Sequence, residues 1–404
     1  MIKGFYKDKK GNNKAQKGTC AQCKLYENAK TYAMKPHGNF KKHILNIGES
    51  PGEKEDDTGI QFQGKIGRIL KRTYRRLGID LFDDCLNINS VNCRPANNKT
   101  PTKKQITCCR NMVVEETIQK YKPDIIVLFG SSAISSFLGH RYPGRLDGAD
   151  KWRGYCIPDR EYKAWVCPVF HPSYVARMDE EVENIWKWDL ERIVDLIDKP
   201  LPVNKKPKID FIEDLSVLYD IKSDVTAFDY ETTGIKPHTS GHRIVSCAIA
   251  DTPDHAYVFM MPKKRKDQKP FLDYLKNPAI GKVAANMVFE EMWSRERLNI
   301  AVQGWQFDTM LAGHQLDNRP GVSNLDFQTY VNFGIIDYSS FVKPYLKPQT
   351  EESANAFNRI LELVSTEEGK NKLLTYNGYD TIYELRLAWQ QIEQIDYDFL
   401  PMFT

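Results

Sequence analysis

Four short apolar runs punctuate the first half of the chain: "HILNIG" from His43, "CLNINSV" from Cys85, "DIIVLFG" from Asp124 and "AWVCPVF" from Ala164. Each has the length of a strand. Between them lie segments whose apolar residues recur every three or four positions, such as "KIGRILKRTYRRLGI" and "TKKQITCCRNMVVEETIQKY". Strand and helix in alternation predict a parallel sheet with helices on both faces, a three-layer α/β/α fold. Sheets of this kind hold ligands at the carboxyl ends of their strands. Three of the four runs lead into polar residues there: Glu49, Asn89 and His171. One such residue is ordinarily a helix cap; three point to a shared site.

The second half opens on "DVTAFDYETTGIKPHTSGHRIVSCAIAD", a strand carrying Asp229 and Glu231, a turn, and a second strand. Residues two apart on a strand face the same side. Two carboxylates about 4 Å apart repel by ~4 kcal/mol at an effective dielectric near 20, so such a pair on a buried strand asks for a cation. Downstream, "KVAANMVFEEMW" supplies Glu290, "WQFDTMLAGHQLDN" supplies Asp308, and "LLTYNGYDTIYELRLA" supplies Tyr376 and Asp380. Singly, an Asp before a helical run is most often a cap. Between the halves, "DLIDKPLPVNKKPKIDF" carries three prolines and four lysines, the composition of a linker. The expected organisation is a basic tail over 1–16, a first domain over 17–197, a linker over 198–208 and a second domain over 209–404.

Composition agrees with two soluble domains: 404 residues, 41% apolar and 27% charged. No apolar run approaches the ~20 residues of a membrane-spanning helix, so no membrane partner is expected. The N-terminal "MIKGFYKDKKGNNKAQKG" lacks the apolar core of a signal peptide and reads as a solvated tail able to touch phosphates, or as a disordered end. A net charge of +4 favours a nucleic-acid partner only weakly. Nine cysteines without a secretion signal argue for a reducing cytoplasm, that of the host cell if the protein is viral, and for metal or cluster ligation over disulfides. Cys20 and Cys23 form a C-x-x-C, with Cys93 and Cys109 far downstream. Thr100 as N-cap and Pro101 in the first turn would start a helix on which Cys109 shares a face with Ile106 and Val113. Cys108 would then be rotated about 100° away. Cys85, Cys156, Cys167 and Cys247 read as small apolar fillers.

The motifs "GESPGEKEDDTGIQFQGKIG", "NSVNCRPANNKTPTKKQITCC" and "HPSYV", in that order behind the C-x-x-C, resemble the iron–sulfur (family 4) uracil-DNA glycosylases over residues 17–197. The resemblance implies a [4Fe–4S] cluster on Cys20, Cys23, Cys93 and Cys109; a structural zinc on the same four ligands is the alternative. It implies that Phe62 stacks on a flipped uracil, that Asn89 hydrogen-bonds its Watson–Crick edge, and that the bare backbone of Gly48 lets the loop come close. His171 would donate to uracil O2 as the glycosidic bond breaks. Glu55, with Glu49, would position or activate water beside an oxocarbenium-like sugar. Ser50 and Gln61 depart from the family's usual residues beside this pocket. They motivate a second reading, in which the first domain only reads uracil or DNA, or docks a partner.

The acids of the second half resemble the DEDD-type 3′–5′ proofreading exonucleases, Tyr subclass, of family A DNA polymerases, an RNase H-like (DnaQ-like) fold. The match lies in D-x-E, the N-x-x-F-E motif from Asn286 to Glu290, "FDTML" and Y-x-x-x-D. It implies that Asp229, Glu231, Glu290 and Asp380 hold two Mg2+ or Mn2+ ions, that Tyr376 orients the attacking water, and that Asn286 meets the substrate. Glu290 stands where Asp is usual. Together the halves look like the N-terminal part of certain bacteriophage DNA polymerases, which implies DNA as substrate and a polymerase domain in cis or in trans.

Overall fold

The computed structural model describes residues 3–8, 12–336, 338–348 and 355–395; the closing "PMFT" lies outside them. The chain divides into two compact units, Met1–Pro202 with Val331–Ile335, and Val203–Tyr330 with Ile336–Thr404.

In the first unit the four apolar runs form strands β1 (Ile44–Gly48), β2 (Cys85–Asn89), β3 (Ile125–Phe129) and β5 (Ala164–Val169), joined by a short β4 (Ile157–Asp159). The order across the sheet is β2-β1-β3-β5-β4. All neighbours are parallel except β4, which returns antiparallel along β5. β1, β2 and β3 are buried at every residue, because helices cover both faces and leave no polar side to alternate with. Gly48 lies opposite Asn89, and Phe129 opposite Val169, so the carboxyl ends of these strands finish together. The helices used below are α1 (Cys20–Cys23), α2 (Glu53–Thr58), α3 (Lys65–Arg76), α4 (Lys103–Cys109), α5 (Gly130–Leu138), α6 (Pro172–Val175) and α7 (Glu180–Val194).

Two local expectations are corrected here. α4 is capped by Thr102, not Thr100. The Thr102 hydroxyl accepts from Gln105 N at 3.3 Å and Gln105 Oε1 accepts from Thr102 N at 2.9 Å, a reciprocal box that outweighs a proline start. Within the expected basic tail, Phe5–Lys7 pairs antiparallel with Asn13–Ala15 as an exposed ribbon, so the segment is solvated but locally ordered.

The second unit is a six-stranded sheet in the order β11-β10-β7-β8-β9-β6. Its strands are β6 (Lys208–Phe211), β7 (Val225–Thr232), β8 (Ile244–Thr252), β9 (His255–Met260), β10 (Gly281–Ala284) and β11 (Trp305–Asp308). β7, β8 and β9 form an antiparallel meander, and β10 adds parallel to β7. Helices α8 (Met287–Trp293) and α9 (Thr309–Leu316) follow β10 and β11. The long α10 (Glu367–Ile392) packs across the sheet. It comes very close at Gly378, where an added Cβ would lie 2.9 Å from both Ile209 Cγ2 and Val258 Cγ1. On the opposite face, Phe228, Tyr230, Phe259, Phe271 and Trp293 fill an aromatic core.

Candidate functional sites

The ends of β1, β2, β3 and β5 bring Gly48, Asn89, Phe129 and His171 to one edge of the first unit's sheet, around Phe62. An added Cβ at Gly48 would lie 2.4 Å from Asn89 Oδ1 and 3.2 Å from Phe62 Cζ, so any side chain there would enter the space between the amide and the ring. Phe62 has φ +57°, a left-handed conformation unusual for an aromatic residue, and its buried ring meets Phe129 edge-on at 6.1 Å. Gly67 in α3 makes that loop possible, since a Cβ there would strike the Phe62 carbonyl oxygen at 1.8 Å. Asn89 Nδ2 is buried without a hydrogen-bond partner. An orphan donor of that kind costs about 1–3 kcal/mol unless something accepts from it.

His171 caps α6, and its Nδ1 accepts from Ser173 N at 3.2 Å. Nδ1 also lies 2.7 Å from Ser173 Oγ, and an Nδ1 that accepts leaves Nε2 as the ring's N–H. Burial, with Arg177 nearby, pushes the imidazole pKa down to about 4, so the ring is neutral at ordinary pH. Gly130, at φ +79°, turns β3 into α5; a Cβ there would approach His171 Cβ to 2.9 Å. Glu49 Oε2 accepts from Ser132 Oγ at 3.0 Å.

The acidic run after Gly52 divides by environment. Glu53 and Asp57 are exposed. Glu55 turns inward: burial raises its carboxyl pKa, and the N–H groups of Gly52, Phe62 and Gln63 hold it down. The Gly52 bond is 2.6 Å long. Asp56 accepts from Lys30 N at 3.1 Å and Thr31 N at 2.9 Å. Glu55 thus satisfies backbone donors of its own loop, and Asp56 those of the neighbouring segment at Lys30 and Thr31. Gln61 is fully buried; its Nε2 donates to Lys35 O at 2.8 Å, while its Oε1 is left without a partner.

Cys20, Cys23, Cys93 and Cys109 line one cavity with Leu25, Val91, Asn92 and Val113. Ala33 N donates to Cys93 Sγ at 3.1 Å and Asn92 N to Cys109 Sγ at 3.3 Å. Burial pushes the Cys93 thiol up to about 11 and the Cys109 thiol up to about 12. Four sulfurs around one apolar cavity, two of them receiving N–H groups, fit a metal–sulfur centre, whose positive charge would hold them as thiolates. Cys108 is also buried, but its Sγ faces Gln22 Oε1 at 3.7 Å.

In the second unit, one carboxylate oxygen from each of Asp229, Glu231 and Asp380 lies within 4.8 Å of the others. β7 supplies the first two, and α10 brings Asp380 across the sheet. Burial raises the pKa of Asp229 and Glu231 strongly, and the neighbouring acids add to it. Burial also lifts Asp380 to about 7, against hydrogen bonds from Tyr338 and Tyr376. Glu290 is buried on α8 outside that trio, with Oε2 unpartnered; after burial, the charge of Asp229 raises its pKa most. Asp308 accepts N–H groups from Asn286 (3.1 Å), Met287 (3.0 Å), Met310 (2.9 Å) and Leu311 (3.0 Å), capping two helices at once. Asn286 occupies the turn into α8 at φ +72°.

Sequence reasoning missed three residues here. Asn377 Nδ2 donates to Asp229 Oδ2 at 2.6 Å, while its own Oδ1 accepts from Ser246 Oγ at 3.0 Å. Tyr338 donates to Asp380 Oδ1 at 2.6 Å and stacks on Tyr376 at 6.0 Å. Glu384 is buried one helical turn beyond Asp380, with Oε2 unpartnered. Its spacing from Tyr376 and Asp380, i+8 and i+4, was the available signal.

Among the described residues, no helix is long and apolar enough to cross a membrane. Residues 35–191 match the uracil DNA glycosylase superfamily and residues 209–393 match a 3′–5′ exonuclease family. Over 181 residues the chain is 36% identical to the type-4 uracil-DNA glycosylase of Thermotoga maritima, covering 45% of this chain and 90% of that protein. A DNA polymerase of Bacillus phage SP01 is 27% identical over 173 residues, 42% of this chain and 17% of the polymerase. Among solved structures, RNase D of Escherichia coli aligns with a TM-score of 0.35 and 15% identity, over 47% of this chain and 45% of that one. The first half thus makes this chain a member of the uracil-DNA glycosylase superfamily, allied to the type-4 enzymes, and a 3′–5′ exonuclease domain is fused behind it.

Proposed function

We propose that the chain is a DNA-processing enzyme with two activities: excision of uracil by hydrolysis of its N-glycosidic bond, and metal-dependent trimming of DNA 3′ ends. The observation that carries the first is the orphan Asn89 Nδ2, buried beside Phe62 over the bare backbone of Gly48. An extruded uracil would stack on Phe62 and give that nitrogen its O4 acceptor. Cytosine presents a donor at the same place and would leave Asn89 unsatisfied. His171, neutral and protonated on Nε2, donates to the developing charge on uracil O2. Glu49, oriented by Ser132, positions water on the sugar face. Glu55 holds the Phe62 loop closed. A [4Fe–4S] cluster on Cys20, Cys23, Cys93 and Cys109 would supply a rigid tie between α1, the Cys93 loop and α4.

In the second domain, Asp229, Glu231, Glu290 and Asp380 would hold two Mg2+ or Mn2+ ions, which supply Lewis acidity and a hydroxide nucleophile. Tyr376 orients the attacking water, as in the DEDD Tyr subclass, and Asn377 fixes Asp229. The partial match to a phage polymerase supports a place beside a polymerase domain, in cis or in trans, in the cytoplasm of a host cell.

Incubating a uracil-containing oligonucleotide with the protein and EDTA, then alkali, tests the excision. Strand scission lost in Asn89→Ala and His171→Ala is the expected result. Tight binding without scission would leave a uracil reader instead. An absorption band near 400 nm in anaerobically purified protein would separate iron–sulfur from zinc.

A further inference from the structure

One residue joins the two special features of the first domain. Asn92 is fully buried in the turn between Asn89, which faces the pocket, and Cys93, which faces the four-cysteine cavity. Its side-chain Oδ1 accepts from Asn89 N at 3.1 Å, and its Nδ2 donates to Asn89 O at 2.7 Å. Both backbone polar groups of Asn89 are therefore held by the same amide. That Nδ2 also lies 3.5 Å from Cys109 Sγ, and Asn92 N donates to the same sulfur at 3.3 Å. The intervening Ser90 N and Val91 N bond to Gly48 O at 2.8 Å and Glu49 O at 3.2 Å, so the turn is tied to the pocket loop as well. Asn89 Nδ2 has no protein partner. Its aim is set by how its backbone is held.

We propose that Asn92 is a positioning residue that couples the four-cysteine centre to base reading, so that loss of the centre is felt as loss of uracil preference more than of DNA affinity. The physical reason lies in the acceptor. A thiolate held by a metal is a strong acceptor for the two Asn92 donors, whereas a neutral thiol is a weak one. When the centre is lost, Cys109 Sγ is no longer fixed opposite these donors, the bonds that orient Asn92 weaken, and with them the clamp on Asn89. This inference rests on the uracil-pocket reading above.

The test uses the full chain in EDTA and two fluorescent single-stranded oligonucleotides of one sequence. One carries a single 2′-fluoro-2′-deoxyuridine, which resists cleavage; the other carries thymidine. The ratio of their dissociation constants is the readout, alongside iron content. Asn92→Ala is expected to keep its iron and its thymidine-oligonucleotide affinity while the uracil preference falls about 10- to 100-fold, the usual range for groups supporting a metal ligand. Wild-type protein stripped of iron is expected to show the same selective fall. An iron-loaded Asn92→Ala with wild-type preference overturns the proposal, and so does a stripped wild type that keeps it. Should Asn92→Ala lose iron, the stripped wild type decides alone. Asn89→Ala separates the two levels: if it keeps the preference, the uracil pocket itself is misassigned, whereas its loss with Asn92→Ala unaffected removes only the coupling.

Discussion

Both halves of this chain gather carboxylates near a strand end, and they settle the charge in opposite ways. In the first, Glu55 and Asp56 meet backbone N–H groups and Glu49 meets a hydroxyl. What stays unsatisfied there is neutral: the donor Asn89 Nδ2 and the acceptor Gln61 Oε1. In the second, Asp229, Glu231 and Asp380 face one another in a buried place, with Glu290 and Glu384 behind them. There, what stays unsatisfied is negative charge. The difference shows how to read an acidic cluster: where each acid has its own donor the charge is settled, whereas acids crowded together with only Asn377, Tyr338 and Tyr376 to meet them call for cations. It also predicts two sites with opposite responses to a chelator.

The sharpest way to break the comparison is Asp229→Ala. Digestion of single strands should fall at least ~1000-fold, about 4 kcal/mol of barrier, while uracil release in EDTA is unchanged. Digestion surviving in an Asp229→Ala, Glu231→Ala double variant would remove the cation site. Next comes His171→Ala, expected to slow uracil release about 100-fold, as loss of a single oxyanion donor does, with trimming unaffected. Because burial holds the His171 pKa down to about 4, the ring stays neutral above that pH. The wild-type excision rate should therefore show no histidine step near pH 6.5; a step there that vanishes in His171→Ala would contradict a neutral donor.

Gly48→Ala should have a smaller effect, since its methyl must displace the Asn89 amide 2.4 Å away. Such overpacking costs about 1–3 kcal/mol, so uracil affinity should drop roughly tenfold or more, read by titration with the uncleavable oligonucleotide. The smallest effect is thermodynamic. Asp380 has its pKa raised to about 7 in the folded chain, against an ordinary value near 3.8. Between those values the metal-free fold keeps a proton that the unfolded chain releases, so its stability falls as pH rises toward 7. At the proposed cation site a divalent ion would replace that proton. Stabilisation by Mg2+ should thus grow from about pH 5 to pH 8, by a few degrees in Tm. A shift independent of pH would refute the coupling.

The strands of the first domain were legible because burial on both faces leaves continuous apolar runs. β4 and β6 were not: β6 begins at Lys208 in a lysine- and proline-rich stretch that composition marks as linker. The residue types of both sites could be picked from the motifs, but not their hydrogen-bond assignments. Nothing local says that Glu55 folds back on Phe62 and Gln63, since those contacts depend on the course of the loop. Tyr338 gives no signal because it lies in irregular chain. Glu384 resembles a solvated helix charge until α10 is known to press it against the sheet. The N-cap of α4 was misplaced by two residues because two plausible starts compete and only hydrogen bonding chooses between them.

Helix α10 carries Tyr376, Asn377, Asp380 and Glu384 as one rigid body, and Gly378 sets how near that body can approach. The spacing between these side chains and the strand is therefore governed by the thickness of one hydrogen atom. A methyl group at position 378 would lift all four side chains together by a fraction of an ångström, with Ile209 and Val258 as the fulcrum. The proposed 3′-end trimming could be throttled in this way without altering any group assigned to the cation site, and the base pocket would be left intact.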